Sequence, residues 1–284
     1  MTPIDFHNVT FAYPVDDIVS GDDTATGDGA PPEPVFSEIE LAFPQRFTFL
    51  VGPNGIGKST LMLLAAARLF PQEGTITIGG RDTREFINAG FEPALEAQRN
   101  ELVSFVYQNM EFETEETIDE LFSLVAANGA DPERAGRVRE ELISAAGLME
   151  RLGARMHELS KGEMQRAIIV MSVLYASPVI MMDEPVFAVE PDRAERLFAW
   201  LKEYCADGAT DIYTSVHDVK LAERFADAVI LMHTDGTIEA GDPTELLSRT
   251  RLEIAFRAPY DTLYQRQNLY RELLNKSLGD EARR

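Results

Sequence analysis

Four residues raise the first chemical question. Gly52, Gly57, Lys58 and Ser59, within GPNGIGKST, keep the spacing Gly-x-x-x-x-Gly-Lys-Ser. Pro53, Asn54, Gly55, Ile56 and Thr60 complete the stretch. Such a run suits a phosphate cradle. Glycines let the backbone wrap tightly, so that its N–H groups point at phosphate oxygens. A helix starting at Lys58 would add its positive end. The Lys58 amine can reach β- and γ-phosphates, and the Ser59 hydroxyl can ligate Mg²⁺. A purely structural strand-to-helix turn could carry the same letters, so the flanks must decide.

Two more segments carry chemistry. VIMMDEP, Val179 to Pro185, puts two carboxylates after four apolar residues. Ligands of open parallel sheets bind beyond the carboxyl ends of the strands. Asp183 at such an end could hold Mg²⁺ directly or through water, and Glu184 could orient or deprotonate an attacking water. LSKGEMQR, Leu159 to Arg166, has two readings. Ser160 followed by Glu163 is a capping box for the next helix. A serine hydroxyl, a glycine backbone and a helix N-terminus also make an anion site.

The elements that must position these groups can be read along the chain. RFTFLV, Arg46 to Val51, is a short apolar strand leading into the glycines. KSTLMLLAAARLF behind them is rich in helix formers and stops at Pro71. The glycines therefore lie between a strand and a helix, as a phosphate loop requires. IDFHNVTFAY and VFSEIELAF alternate like half-buried strands, and GTITIGGR adds a small strand and turn. LVSFVYQ, Leu102 to Gln108, reads as another strand. Thr117 to His157 is charged and helical, with Val138, Leu142, Ile143 and Ala146 at helix spacing. VIMMDEP, DIYTSVH and AVILMH read as buried strands separated by helix-like DRAERLFAWLKEYC and VKLAERF. Alternating strands and helices imply an α/β fold with a mostly parallel sheet, and the helical stretch is inserted between two parts of it. From about Leu246 the chain reads as helical.

Composition narrows the partners. Lys and Arg total 26 against 48 Asp and Glu, a formal net charge of −22 over 284 residues. That field disfavours nucleic-acid backbones and anionic lipid surfaces, but not a local basic site for one nucleotide. Residues 14–34 hold six acidic residues and no basic one among Gly, Pro, Ser and Thr, and read as an exposed, mobile loop. Cys205 is the single cysteine, which excludes an internal disulfide and suits a reducing compartment. MTPIDFHNVTFAY lacks the basic and apolar regions of a secretory signal. The longest uncharged run, Ala167 to Met182, is short of a spanning helix and contains Pro178.

The order of phosphate loop, Gln108, LSKGE, VIMMDEP and His217 resembles that of the ATP-binding-cassette (ABC) ATPases, from about Ile4 to Leu247. The resemblance implies a P-loop NTPase core with an N-terminal antiparallel β subdomain and an α-helical subdomain at about 109–158. The ATPase domain would be 1–247, and 248–284 a C-terminal helical extension. It implies ATP and Mg²⁺ as cofactors and assigns roles residue by residue. Gln108 contacts Mg²⁺ or the water and relays to a partner, and His217 contacts the γ-phosphate. Tyr13, in FAYP, stacks on adenine. Ser160 and Gly162 contact ATP held by a second ABC ATPase subunit, in a homodimer or heterodimer. The sequence departs from the family's L-S-G-G-Q at Lys161 and Glu163, and from the usual Asp after the catalytic glutamate at Glu190. Glu163 brings negative charge towards a phosphate site; Lys161 could offset it, or the capping bond could hold it.

The implied function is the ATP-hydrolysing subunit of an ABC transporter, at the cytoplasmic face of the cell membrane. A separate integral-membrane permease would dock near Gln108 and the helical subdomain, and no nucleic acid is expected. The segment from Ser215 to Leu247 is similar to importers of metal chelates, cofactors or vitamins. The rivals are a soluble ABC ATPase without a permease and a regulatory module of low turnover.

Overall fold

The computed structural model describes residues 3–14, 33–108, 110 and 114–263. The strands divide by what covers them. β1 (Ile4–Phe11) and β2 (Phe36–Ala42) each bury one face, as expected of strands with one wet face, with a slip in the alternation at Asn8 and at Glu38, where φ is 50° and 51°. They pair antiparallel, and β1 pairs on its other side with β4 (Glu73–Ile78), beyond which lies the short β5 (Arg81–Asp82). β3 (Phe47–Val51) belongs instead to a second sheet of order β10-β9-β3-β8-β7-β6. There β6 is Val103–Val106, β7 Val179–Asp183, β8 Asp211–Ser215, β9 Ala228–Met232 and β10 Ile238–Gly241. β3 and β6 to β9 are parallel, and β10 runs antiparallel at the edge. Every residue of β3, β7 and β8 is buried, because layers cover both faces.

The period-two alternation of strand side chains sorts those layers. Phe47, Phe49, Ile180, Met182 and Ile212 face one core, while Leu50, Met181 and Tyr213 face the other. α1 (Lys58–Ala65) and the antiparallel sheet close the second core. The first core is closed by α5 (Lys161–Tyr175), α6 (Pro191–Tyr204), α7 (Val219–Phe225) and α9 (Arg249–Phe256). Phe198 of α6 meets Phe47, Phe49 and Phe225, all nearly edge-on. Phe198→Ala should remove that hub and cost about 3–5 kcal/mol in a denaturant titration; a loss below 1 kcal/mol would contradict this packing.

α3 (Ile118–Asn128) and α4 (Pro132–Ala145) pack against α5 and make the helical insertion, the turn between them reaching the last residue of α5, where the Ala130 N–H donates to the Tyr175 carbonyl at 2.7 Å. Thr117 and Glu120 form a capping box for α3. Arg134 ties α4 to α6, its Nε donating to the Tyr204 hydroxyl at 2.9 Å while its guanidinium lies over the ring. α5 is continuous. Ser160 caps its front, and Ala167 to Val170, Val173 and Leu174 are buried in the core behind.

Several boundaries differ from the sequence reading. The strand expected over Leu102 to Gln108 is confined to Val103–Val106, which pairs with Val179–Met182. Leu102 instead ends α2 (Pro93–Leu102), a helix the sequence reading did not contain. α1 stops at Ala65, and Ala67 takes a left-handed φ of 52° before Pro71 is reached. α8 (Pro243–Leu246) and α9 follow β10, and Leu252 and Ala255 are buried. The acidic loop at residues 15–32 and the helix expected beyond residue 263 lie outside the described residues.

Candidate active site

Strand order brings the chemical residues together. β3, β8, β7 and β6 are adjacent and parallel. Their carboxyl ends lead in turn to the glycine loop, His217, Asp183 with Glu184, and Gln108. Four separate segments thus converge on one edge of the sheet, where parallel folds place ligands.

The loop is shaped by positions only glycine fills well. Gly57 has φ 103°, and a side chain at Gly52 would press a Cβ to 2.7 Å from the Met232 carbonyl of β9. Asn54, Gly55 and Ser59 are exposed, while Pro53 and Ile56 are half-buried. Lys58 is only 6% exposed. Its Nζ donates to the carbonyls of Gly52 at 2.8 Å and Pro53 at 3.0 Å, so the loop closes around the amine. Burial pulls the Lys58 pKa below that of an ordinary lysine, and the carboxylates of Glu184 and Asp183 pull it partly back. A desolvated cation whose hydrogen bonds, among the described residues, go to neutral carbonyls fits the site of a polyanion. Thr60 is buried and shares a 2.9 Å hydrogen bond with the Tyr13 hydroxyl, which brings the end of β1 to the front of α1. The Tyr13 ring is half-buried and meets Phe11 edge-on.

Glu184 is gripped from both sides. Gln108 Nε2 donates to its Oε2 at 2.7 Å, and His217 Nε2 lies 2.6 Å from its Oε1. Its backbone has φ 50°, a left-handed conformation costly for a residue with a Cβ. Ser215, fully buried at the end of β8, supports that turn. Its hydroxyl donates to Asp183 Oδ1 at 2.6 Å and accepts from the Glu184 N–H at 2.9 Å. Gln108 stands two residues beyond β6, and this short overhang is what lets it reach Glu184. The Ser59 hydroxyl, the Asp183 carboxylate and the Gln108 amide oxygen make a set of hard oxygen donors, the kind Mg²⁺ takes.

Ser160 and Gly162 sit apart from this edge, on the front of α5. The Ser160 hydroxyl accepts the Glu163 N–H at 3.3 Å, and Glu163 Oε2 accepts the Ser160 N–H at 2.9 Å. The cap uses a lone pair of the hydroxyl and leaves its proton able to meet a phosphate oxygen. Gly162 packs so closely on the segment after Glu184 that a Cβ would lie 2.6 Å from the Ala188 carbonyl. Gln165 Oε1 accepts the Ala188 N–H at 2.9 Å, and Arg166 pairs with Glu190 at 2.8 Å.

A family description, ABC transporter, matches residues 39–187. The chain belongs to this family. As an ABC ATPase it binds and hydrolyses ATP. The nickel import ATP-binding protein NikO of Rhodobacter capsulatus is 32% identical over 77% of this chain and 87% of its own length. A putative HMP/thiamine import ATP-binding protein, YkoD of Bacillus subtilis, is 28% identical over 76% of this chain; the chain spans 38% of that relative's length. Among solved structures, a dimeric ATP-binding cassette in a post-hydrolysis state with ADP and Pi superposes with a TM-score of 0.65. It is 20% identical and covers 84% of this chain and 98% of its own. That likeness concerns the fold.

In this ABC ATPase the sequence-derived residues fall into two groups. Lys58, Asp183, Glu184, Gln108 and His217 share the sheet edge, with Tyr13 and Thr60 beside the loop. Ser160 and Gly162 form a second group. Reasoning from sequence missed Ser215, whose sign was a hydroxyl two residues before His217 at a strand end. It also missed Arg151 and Arg166, which give Glu163 and Glu190 their partners. The counter-charge found against Glu163 is Arg151, while the capping bond expected for Glu163 is present. Among the described residues no helix is long and apolar enough to cross a membrane.

Proposed function

We propose that this chain supplies the energy for solute uptake through a separate membrane permease, sitting against the cytoplasmic face of the membrane. The observation that carries the reading is the convergence of Lys58, Asp183, Glu184, Gln108 and His217 at one sheet edge, with Ser160 and Gly162 displayed on another element. Two ABC subunits facing head to tail would each complete the other's site. The loop Gly52–Thr60 and Lys58 would bind the phosphates, and Tyr13 would stack on adenine. Ser160 and Gly162 would meet the partner's ATP. Mg²⁺, when bound, would neutralise phosphate charge, with Ser59, Asp183 and Gln108 to hold it. Glu184 would accept a proton from water as the water oxygen attacks the γ-phosphorus, Gln108 would orient that water, and His217 would face the γ-phosphate.

The ATPase unit is taken as 1–247, with 109–158 as its helical subdomain and 248–284 as an extension. Uptake is favoured because NikO and YkoD carry import in their names. Affinity purification of the tagged chain from a detergent extract of its own cells tests the assignment. A co-purifying polytopic protein is the expected result; repeated recovery of the chain without one would overturn the transporter reading.

A further inference from the structure

Glu163 puts a carboxylate at the N-terminus of α5, beside the Ser160 hydroxyl. A helix N-terminus attracts anions, and Glu163 is an anion already there. It takes the Ser160 N–H for itself. An ATP phosphate approaching Ser160 and Gly162 would meet a like charge unless something cancelled it. Arg151 does so. Its Nε donates to Glu163 Oε1 at 2.7 Å, leaving Oε2 to the Ser160 N–H. The two bonds use different oxygens of one carboxylate, and together they fix its plane. Glu163 is 16% exposed in its side chain, so the charge is poorly screened by solvent. Arg151 is itself held, for the chain around it is a 3₁₀ turn, Met149–Arg151, with its N–H bonded to the Leu148 carbonyl. The pair forms one wall of a cleft of about 370 Å³, into which Ser160 and Arg166 also face.

We propose that Arg151 is a positioning residue for ATP at the second site, and that it acts by holding the Glu163 carboxylate in its capping bond and cancelling its charge. This rests on the reading above, in which Ser160 meets the nucleotide of the other subunit. In this proposal Arg151 acts through Glu163 and not by a bond of its own to the nucleotide. Its effect is therefore on affinity and on ATP-driven pairing of subunits, and depends on Glu163 being charged.

The test is a double-mutant cycle on the full chain, reading KM for Mg-ATP, kcat, and ATP-driven dimerisation on a sizing column. Arg151→Gln should raise KM about fivefold with kcat within about twofold, the scale of losing one partly exposed ion pair. In a Glu163→Gln background the same change should move KM less than about twofold, because the charge to be cancelled is gone. Arg151→Lys should recover most of the wild-type KM. An equal loss in both backgrounds, or none in either, overturns the proposal; should Arg151→Gln fail to fold, Arg151→Met alone and with Glu163→Gln, which likewise removes the cation, gives the same contrast. Ser160→Arg separates this inference from the reading beneath it. If Ser160→Arg leaves KM and dimerisation unchanged, the two-subunit site itself is wrong. If it abolishes both while Arg151→Gln is silent, only the role of Arg151 falls.

Discussion

Glu184→Gln is expected to stop hydrolysis while leaving ATP bound. Glutamine keeps the length and shape of glutamate but takes no proton from water. Removing a general base costs about 10²- to 10⁴-fold in rate, so kcat should fall by that much. The fold around it should survive. Gln108 donates to one carboxylate oxygen and His217 Nε2 faces the other, and an amide can accept from the first with its oxygen and donate its NH₂ to Nε2 once the imidazole proton sits on Nδ1. The Ser215 hydroxyl holds the backbone of residue 184, not its side chain, and that bond is untouched. The variant should therefore bind ATP as tightly as the wild type and persist as an ATP-loaded dimer. Single-turnover release of phosphate, with sizing chromatography in Mg-ATP, reads both effects. Turnover within tenfold of wild type would remove Glu184 from the role of base.

The second large effect concerns Lys58, and it separates stability from binding. The amine is buried, its pKa drawn down by desolvation despite the carboxylates of Glu184 and Asp183. A lysine whose folded pKa lies below its unfolded one destabilises the fold while it stays protonated. That cost is present at neutral pH and is relieved as pH rises from the folded value towards the ordinary value of about 10.4. Lys58→Met removes the charge and roughly keeps the volume. Without nucleotide it should melt at or above the wild-type temperature, and it should lose the wild type's alkaline gain in stability. ATP affinity should fall by about 10²-fold, the worth of one or two hydrogen bonds to a charged group at about 1.5–3 kcal/mol each. Wild-type affinity should likewise weaken with rising pH earlier than an ordinary lysine would dictate, since a neutral amine offers the phosphates no charge. Calorimetric titration with ATP across pH, beside thermal melts, measures all of this. Unchanged affinity in Lys58→Met would refute the phosphate-binding assignment.

Both residues stood out in the sequence, Lys58 by the glycine loop and Glu184 by its place after an apolar strand, while the burial of Lys58 is legible only in the fold. The glycine loop between an apolar strand and a helix is a local pattern, and β9, with the first four residues of β7, reads as an unbroken apolar run. Gln108 and His217 needed the motif order, since no local rule singles them out. What stayed hidden depended on long-range partners. α2 has a polar composition, and its buried member is Arg99, whose guanidinium donates to the Ala67 carbonyl. It shows no apolar stripe, and it runs straight into β6, so Leu102 read as strand. Ser215 looked like one more residue of a strand, because its use is set by β7 lying alongside. The answer to the unusual Glu163 came from Arg151, twelve residues earlier and beyond a turn.

The continuity of α5 has a mechanical consequence. Its fifteen residues make a rod of roughly 22 Å that carries Ser160 at its tip and is buried from Arg166 to Val170 and again at Val173 and Leu174. A tilt of about 5° about its far end would sweep the tip by about 2 Å, close to the difference between a hydrogen bond and none. Because the rod is packed along most of its length, such a tilt would carry the helical insertion with it, and the serine would engage or release without any bond inside the helix having to break.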